Sequence, residues 1–220
     1  MPSPRASTLT AKRAFDIVVS LVLLLFLAPL FLAIAIAIKL DSPGPVFFSH
    51  ERVRARRRDG RWVVETFSFH KFRSMIHGAD PSVHEAHVAA YVNGDLQPRT
   101  DGARFKLAND DRVTPFGAVL RRTSLDELPQ LWNVLCGQMS LVGPRPLPVY
   151  EAVRHDAQQL ERLAATPGIT GPWQVSGRCE LSFDEMMALD LAYVRERNFW
   201  TDMKLLCRTV PAVVSGKGAE

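Results

Sequence analysis

Cysteine is scarce in this chain of 220 residues, and it is not arranged for metal binding or for disulfide pairing. The three cysteines are Cys136, Cys179 and Cys207. They are odd in number, widely separated and include no C-x-x-C pair, so neither a disulfide framework nor a zinc site is indicated. This usage is typical of a protein that works in a reducing compartment.

Several common catalytic motifs are also absent from the sequence. It has no G-x-x-x-x-G-K-[ST] loop and no G-x-G-x-x-G loop, which excludes the usual phosphate cradles of NTPases and dinucleotide-binding enzymes. It has no G-x-S-x-G and no H-E-x-x-H either. The composition, with 47% hydrophobic and 23% charged residues, is that of a folded domain. A net charge of +4 and a pI near 9.2 favour partners that carry negative charge.

The longest apolar segment runs from Ile17 to Ile38 and contains no charged residue. A helix of this length would be ~33 Å long, enough to cross the hydrocarbon core of a bilayer. The segment is too long for the core of a signal peptide, and charged residues follow it where a cleavage site would need small ones. The sequence therefore predicts a membrane anchor over residues 12–40, after a tail of residues 1–11 and before a folded domain of residues 41–220.

Two arrangements of this anchor remain open: a helix that spans the membrane, and a re-entrant hairpin that enters and leaves at one face. Pro29, near the middle, lacks a backbone donor and would kink a helix there. Lys12 and Arg13 precede the segment, and Lys39 and a series of arginines follow it. Because positive charge on a flank favours the cytoplasmic side, this distribution favours the hairpin. A plain spanning helix is the alternative, since proline is tolerated in such helices.

Beyond the anchor, the sequence predicts a helix-rich α+β domain of short elements. Two strands are expected near residues 46–72, joined by a basic turn at residues 52–61 that contains Asp59-Gly60. A short helix and a loop are expected within residues 77–104.

The second half of the chain carries stronger helix signals. Ser124–Glu127 and Ser182–Glu185 each have the pattern of a capping box that opens a helix. Residues 149–165 have the periodicity of one amphipathic helix, which Pro167-Gly168 would end. Residues 200–214 are amphipathic as well, and we expect them to lie in the membrane interface beside the anchor.

Four compact segments combine turn or helix signals with cations and carboxylates: residues 70–75, 110–117, 120–146 and 166–178. Taken alone, Asp126 and Glu127 are explained as carboxylates in the first turn of a helix, where they favour the helix dipole. Taken alone, Arg145 is explained as a surface arginine in a rigid turn between two prolines.

Together and in this order, the segments resemble the monotopic phosphoglycosyl transferases that begin bacterial glycoconjugate and exopolysaccharide assembly. The resemblance runs from Lys12 to Ala219 and includes the apolar segment with its central proline. The motifs that carry it are PGPVF at 43–47, KFRSM at 71–75, SLDELPQLWN at 124–133, MSLVGPRP at 139–146, PGITG at 167–171 and WQVSGR at 173–178. Departures from the family pattern include His50, Arg54, Thr166 and Pro172.

The resemblance implies an enzyme that transfers a sugar-1-phosphate from a UDP-sugar to polyprenyl (undecaprenyl) phosphate and releases UMP. Asp126 would be the nucleophile and would form an aspartyl phospho-sugar intermediate, while Asp126 and Glu127 would hold the cofactor Mg²⁺. The resemblance also implies a re-entrant anchor at the cytoplasmic face of the bacterial inner membrane. Anionic lipid would be a partner and nucleic acid would not; a homodimer is compatible with it.

The matching segments also contain the cations that a diphosphate requires, and arginine forks bind phosphate oxygens in pairs. By resemblance, Pro144-Arg145-Pro146 would meet the uridine nucleotide. The residues expected to bind substrate are Lys71, Arg73, Arg112, Arg121, Pro144, Arg145, Pro146, Gln174 and Arg178.

A second hypothesis of a different class is a membrane-anchored adaptor that binds anionic lipid or nucleic acid through the basic stretch of residues 52–61. This stretch lacks the interleaved aromatic residues of a single-strand binder. It also lies close to the anchor, where lipid headgroups are the nearer anion. The adaptor would show binding that falls steeply with salt, and no release of UMP from UDP-sugars.

Overall fold

The computed structural model of this chain describes residues 6–59, 61–93, 95, 110–153, 159–177 and 180–215. The helices are α1 Ala6–Phe26, α2 Ala28–Asp41, α3 Ser82–Val92, α4 Pro115–Arg122, α5 Gln130–Leu135, α6 Val149–Ala152, α7 Pro172–Ser176, α8 Phe183–Glu196 and α9 Phe199–Ser215. Two 3-10 helices cover Leu125–Glu127 and Gln159–Ala164. The strands are β1 Phe47–Arg58, β2 Arg61–Phe72, β3 Ser140–Val142, β4 Leu147–Pro148 and β5 Gly168–Thr170. The prediction of a helix-rich α+β domain is confirmed, although β1 and β2, at 12 residues each, are longer than the short elements predicted.

The apolar segment forms two helices, α1 and α2, which meet at Leu27 with a bend of 60°. Pro29 lies in the first turn of α2, where its ring cannot donate a backbone hydrogen bond. Within the described residues no single helix is both long and apolar enough for a membrane span, whereas the bent pair meets that criterion together. Phe26 at the bend is 79% exposed and Leu40 is 84% exposed. The predicted break near Pro29 is confirmed, while insertion of the pair into a membrane stays a prediction.

The polar side of α1 fastens the anchor to the rest of the fold. Lys12 Nζ lies 2.5 Å from Asp202 Oδ2 in α9, and Arg13 donates to the carbonyl oxygens of Val134 and Leu135 at 2.6 and 2.9 Å. Asp16 is buried and accepts from the backbone N–H of Leu141. Lysine and arginine beside the apolar segment therefore serve as structural contacts as well as flanking charges.

The long hairpin of β1 and β2 confirms the predicted strand pair, with antiparallel pairing from Phe47↔Phe72 to Arg58↔Arg61. The predicted basic turn over residues 52–61 is wrong, because Arg52 to Arg58 belong to β1 and only Asp59-Gly60 separates the strands. Arg52 is buried, and Arg54 pairs with Glu65 on the opposite strand at 2.6 Å. Cross-strand pairing and burial thus remove two cations from the surface that the adaptor hypothesis requires.

Two helix predictions need correction, and one is confirmed. Ser124 has a φ of 57° and its side chain caps no backbone N–H; a 3-10 turn follows it, and the next α-helix begins at Gln130. Ser124 lies directly after the C-cap of α4, Thr123, where a left-handed residue typically ends a helix. The predicted helix over residues 149–165 is wrong too, since α6 ends at Ala152 and a 3-10 helix covers Gln159–Ala164. The capping box of Ser182 and Glu185 is present at the start of α8.

The predicted short helix within residues 77–104 is α3, and the rest of that segment lies mostly outside the described residues. α9 forms where an amphipathic helix was predicted, with Trp200 73% exposed near its start. Its position in a membrane interface stays a prediction.

The main apolar core joins the hairpin to the helices behind it. Phe67 and Phe69 of β2 pack with residues of α5, β3, α8 and α9, and with the inner side of α1. A smaller cluster packs α2 and α4 against Phe72. The end of β2 therefore lies at the junction of both clusters, close to the turn that carries Asp126 and Glu127.

Candidate functional site

Asp126 and Glu127 lie in the 3-10 turn between α4 and α5. The start of α4 is fixed on the segment after β2: Thr114 caps Gly117 N–H at 3.0 Å, and a Cβ on Gly117 would approach Ser74 O to 2.0 Å. Because α4 is held this closely, the turn that follows it is brought against the end of β2. Asp126 is 6% exposed there, so its carboxylate needs a compensating partner.

Lys71 is that partner, and it contacts both carboxylates. Its Nζ lies 3.2 Å from Asp126 Oδ2 and 2.9 Å from Glu127 Oε1. The register of β2 is held by Asn133 of α5, whose amide donates to Ser68 O at 2.6 Å and accepts from His70 N–H at 3.1 Å. Asn133 is fully buried, so this link fixes the strand one residue before Lys71.

Arg145 approaches Glu127 from a second direction. Its Nη1 lies 3.5 Å from Glu127 Oε1, and its guanidinium is 6.0 Å from the ring centroid of Trp173. The prolines at 144 and 146 restrict the backbone on either side of it. Two buried arginines hold the turn from behind: Arg52 donates to Pro146 O at 2.8 Å, and Arg162 donates to Arg145 O at 3.3 Å.

Glycine is required where this turn meets the β3–β5 pair. A Cβ on Gly168 would lie 2.1 Å from Gly143 N, and one on Gly171 would lie 2.3 Å from Gly143 O. These distances are far below any real Cβ contact, so the two backbones pack directly on each other. The close approach sets the direction in which Pro144 to Pro146 leave β3.

The electrostatic environment of the site is strongly cationic. Burial, together with the charges of Arg52, Lys71 and Arg145, lowers the pKa of His50 to about 2, so the imidazole is neutral. Burial, together with the charge of Arg145, lowers the pKa of Arg52 to about 9, which leaves it protonated at neutral pH. Two cations, Lys71 and Arg145, therefore contact the carboxylates, and a third, Arg52, lies behind the turn, an arrangement suited to binding an anion with phosphate groups.

Arg73 and Arg112, which were also predicted to bind substrate, contact other parts of the fold. Arg73 is buried and donates to the carbonyl oxygens of Ser42 and Pro43 at 2.7 and 2.6 Å, next to the end of α2. Arg112 pairs with Asp110, with Nε to Oδ1 at 2.7 Å. Arg121 lies in the last turn of α4 and is partly exposed.

Two further predicted residues belong to the PWQVSGR segment. Gln174 lies in α7, next in the chain to Trp173. Arg178 lies outside the described residues. Of the predicted set, the structure brings Lys71, Asp126, Glu127 and Arg145 into one site, together with Pro144 and Pro146 on either side of Arg145.

The carboxylates of this site fit a magnesium ion that takes further ligands from a substrate. Within the described part of the chain, no group of three or more His, Cys, Asp or Glu side chains could enclose a metal by itself. Mg²⁺ commonly binds through one or two carboxylates, keeps several waters and takes substrate phosphates as ligands. Asp126 and Glu127 supply that number of carboxylates side by side.

Sequence reasoning missed three residues that build the site: Arg52, Asn133 and Arg162. Arg52 stood in a basic stretch that looked exposed, and Asn133 closed a recognised motif without an assigned role. Arg162 had no local signal, because its burial depends on α8 and on the turn at Arg145. In the sequence, Arg52 alternates with Val53 and Ala55 and so falls on the polar side of the strand, which gave no hint of its burial.

Comparison with known proteins gives consistent matches. A family model described as bacterial sugar transferase matches residues 7–216. The exopolysaccharide production protein ExoY of Rhizobium meliloti is 39% identical over 209 residues, which cover 95% of this chain and 88% of that protein. The galactosyl transferase CpsE of Streptococcus agalactiae is 40% identical over 97% of this chain and 44% of its own length. The undecaprenyl-phosphate galactose phosphotransferase of Salmonella typhimurium is 39% identical over 94% of this chain and 41% of its own length.

The chain thus spans most of ExoY and less than half of the longer relatives. These matches confirm the resemblance to polyprenyl-phosphate sugar phosphotransferases, and with it the prediction that the chain is a transferase enzyme. Since the family model matches nearly the whole sequence, the chain belongs to the bacterial sugar transferase family.

Proposed function

We propose that this enzyme transfers a sugar-1-phosphate from a UDP-sugar to polyprenyl phosphate and releases UMP. The observation that carries the proposal is the contact of Lys71 with Asp126 and Glu127, with Arg145 beside them. A carboxylate held among cations suits attack on a diphosphate, whose charge must be balanced as the nucleophile approaches. One relative is named as an undecaprenyl-phosphate galactose phosphotransferase and another as an exopolysaccharide production protein. Both names support the same class of reaction.

Two displacements account for the transfer. In the first, a carboxylate oxygen of Asp126 bonds to the β-phosphorus of the UDP-sugar, and the bond from that phosphorus to the bridging oxygen breaks. UMP leaves with the electron pair, and the sugar phosphate remains on Asp126 as an acyl phosphate. In the second, a phosphate oxygen of polyprenyl phosphate bonds to this phosphorus and the Asp126 carboxylate leaves. The product is a polyprenyl diphosphate sugar.

The residues around Asp126 have separate tasks in this proposal. Lys71 and Arg145 bind the phosphate oxygens and stabilise the charge that develops on UMP as it leaves. The Pro144-Arg145-Pro146 turn meets the uridine nucleotide, and Arg52 and Arg162 keep that turn in place through its carbonyl oxygens. Asp126 and Glu127 would hold Mg²⁺, which when bound supplies Lewis-acid stabilisation of the diphosphate charge.

The bent pair of helices suits a position in one leaflet, at the cytoplasmic face of the bacterial inner membrane. If both ends of a pair bent by 60° stay at one face, each arm tilts about 30° from the membrane plane. Arms of ~21–25 Å then reach ~10–13 Å deep, less than half of a hydrocarbon core of ~30 Å. Basic residues at both flanks would meet the anionic headgroups of that face. The site would then lie where a soluble nucleotide and a lipid phosphate can both reach it.

The test is a UMP-release assay with polyprenyl phosphate and a panel of UDP-sugars, run with the wild type and Asp126→Asn. We expect Asp126→Asn to lose turnover by a factor of about 10³ or more, since the amide cannot act as the nucleophile. It should also lose the covalent adduct that the wild type forms with a UDP-sugar radiolabelled in the sugar.

Asp184→Asn is the matched control, because Asp184 is an exposed aspartate in the first turn of α8. It should behave as the wild type. Full activity of Asp126→Asn would exclude Asp126 as the nucleophile. A wild type that releases no UMP but binds DNA or liposomes in a salt-dependent manner would favour the adaptor hypothesis.

A further inference from the structure

The position of Lys71 bears on how a divalent metal enters the site, an inference that rests on the proposed function. We propose that Lys71 acts as a placeholder cation: it occupies Asp126 and Glu127 and thereby weakens the binding of a metal ion that comes without nucleotide. It gives up these contacts when the metal arrives with a nucleotide diphosphate. Binding of metal and nucleotide is then strongly coupled through one side chain.

The distances leave little room for two cations on the same oxygens. Lys71 Nζ lies 2.9 Å from Glu127 Oε1 and 3.2 Å from Asp126 Oδ2. Since Mg²⁺ binds carboxylate oxygens at ~2.1 Å, an ion on either of these oxygens would come within about 5 Å of the ammonium group. Even with the dielectric constant of water, repulsion between charges of +1 and +2 at that separation weakens metal binding roughly tenfold or more. In a partly buried site the factor is larger.

The charge balance points the same way. Without ligand, the two carboxylates are matched by two cations, Lys71 and Arg145. A divalent ion alone would leave an excess of about two positive charges in a site where Asp126 is buried. The diphosphate of a UDP-sugar brings about two negative charges, so metal and nucleotide together restore the balance.

Lys71 has the freedom that this exchange requires. It stands one residue before the end of β2 on a flexible four-carbon stem, and its side chain is 17% exposed, so its ammonium group is not sealed inside the protein. Nζ also lies 5.7 Å from the centroid of the Phe69 ring, within the range of a cation–π contact. A diphosphate bound beside Asp126 would offer the ammonium group new oxygen partners while it leaves the carboxylates.

The test is metal binding itself, measured with Mn²⁺ by electron paramagnetic resonance on the purified full chain in detergent, with and without UDP. Without UDP, Lys71→Met should bind Mn²⁺ about tenfold or more tightly than the wild type. With UDP, the order should reverse, because Lys71→Met lacks the cation that binds the diphosphate. Lys71→Arg should keep weak binding of Mn²⁺ alone, since it keeps the charge.

Lys204→Met is the matched control, because Lys204 is an exposed lysine of α9. It should behave as the wild type in both conditions, and circular dichroism should show that each variant is folded. If Lys71→Met binds Mn²⁺ alone no more tightly than Lys204→Met does, the placeholder role is refuted. If Lys71→Met is misfolded, tight binding of Mn²⁺ alone by the wild type or by Lys71→Arg still refutes it. If the wild type releases UMP although one of these results refutes the placeholder role, the proposed function still stands.

Discussion

Removal of Arg162 should destabilise the protein far more than removal of a surface arginine that links the same two elements. Arg162 of the 3-10 helix pairs with Asp190 of α8, and their side chains are 1% and 0% exposed. Breaking a buried ion pair by deleting one partner costs about 3–5 kcal/mol, because the remaining charge is left without compensation. For a domain of this size, that loss corresponds to a fall of roughly 6–20 °C in melting temperature.

Arg195→Met is the matched control for Arg162→Met. Arg195 of α8 pairs with Glu161, the residue beside Arg162, at 3.4 Å, and the two side chains are 51% and 37% exposed. Exposed pairs of this kind contribute about 0–1 kcal/mol. The same chemical change in the same pair of elements should therefore shift the melting temperature by no more than about 4 °C.

The effect of Arg162→Met should also depend on pH. Burial raises the pKa of Asp190 to about 6 although the charge of Arg162 opposes the rise, so loss of Arg162 raises it further. An acid whose folded pKa lies above its unfolded value contributes stability at low pH that is lost as pH rises through the folded pKa. The penalty should be largest near pH 8. It should shrink towards the value of a lost hydrogen bond, about 1 kcal/mol, near pH 5, where Asp190 takes up a proton.

Thermal unfolding followed by tryptophan fluorescence, in detergent at pH 5 and pH 8, measures both effects. Equal shifts for Arg162→Met and Arg195→Met, or a shift for Arg162→Met that is the same at both pH values, would contradict a buried Asp190 charge that depends on Arg162. Such results would mean that the charge of Asp190 is compensated by other groups or is not buried in solution.

Two further predictions concern residues behind the active-site turn. Arg52→Met removes the hydrogen bond to Pro146 O, so it should raise the KM for the UDP-sugar about tenfold and change kcat less, as steady-state UMP release will show; an unchanged KM would mean that the turn holds without it. His50 is kept neutral because burial lowers its pKa to about 2, so the folded protein loses stability as pH falls below the usual histidine value of about 6.5. His50→Gln should flatten the dependence of melting temperature on pH between pH 7 and pH 5, and a curve parallel to that of the wild type would contradict the assignment.

Local signals predicted several elements correctly, because each depends on residues close in the chain. Pro29 marked the break between α1 and α2, since its effect reaches only one turn of helix. Asp59-Gly60 marked the end of the hairpin, and Ser182 with Glu185 marked the start of α8. The same logic failed at Ser124. This residue adopts the left-handed conformation that ends α4, so it does not cap a new helix.

The types of residue in the site and the family to which the chain belongs both follow from the sequence alone. Asp126, Glu127, Lys71 and Arg145 all came from motifs that are compact along the chain. Their order and spacing are specific enough to indicate the chemistry before any coordinates are known.

Which cations contact those carboxylates depends on the tertiary structure. Lys71 lies 55 residues before Asp126 in the chain, yet their side chains touch, whereas Arg73, two residues further along the chain, turns to the end of α2. Arg52 looked like one of many exposed arginines and is buried behind the active-site turn. The reason is physical: burial and partner choice follow from packing between distant elements, which no window of neighbouring residues contains.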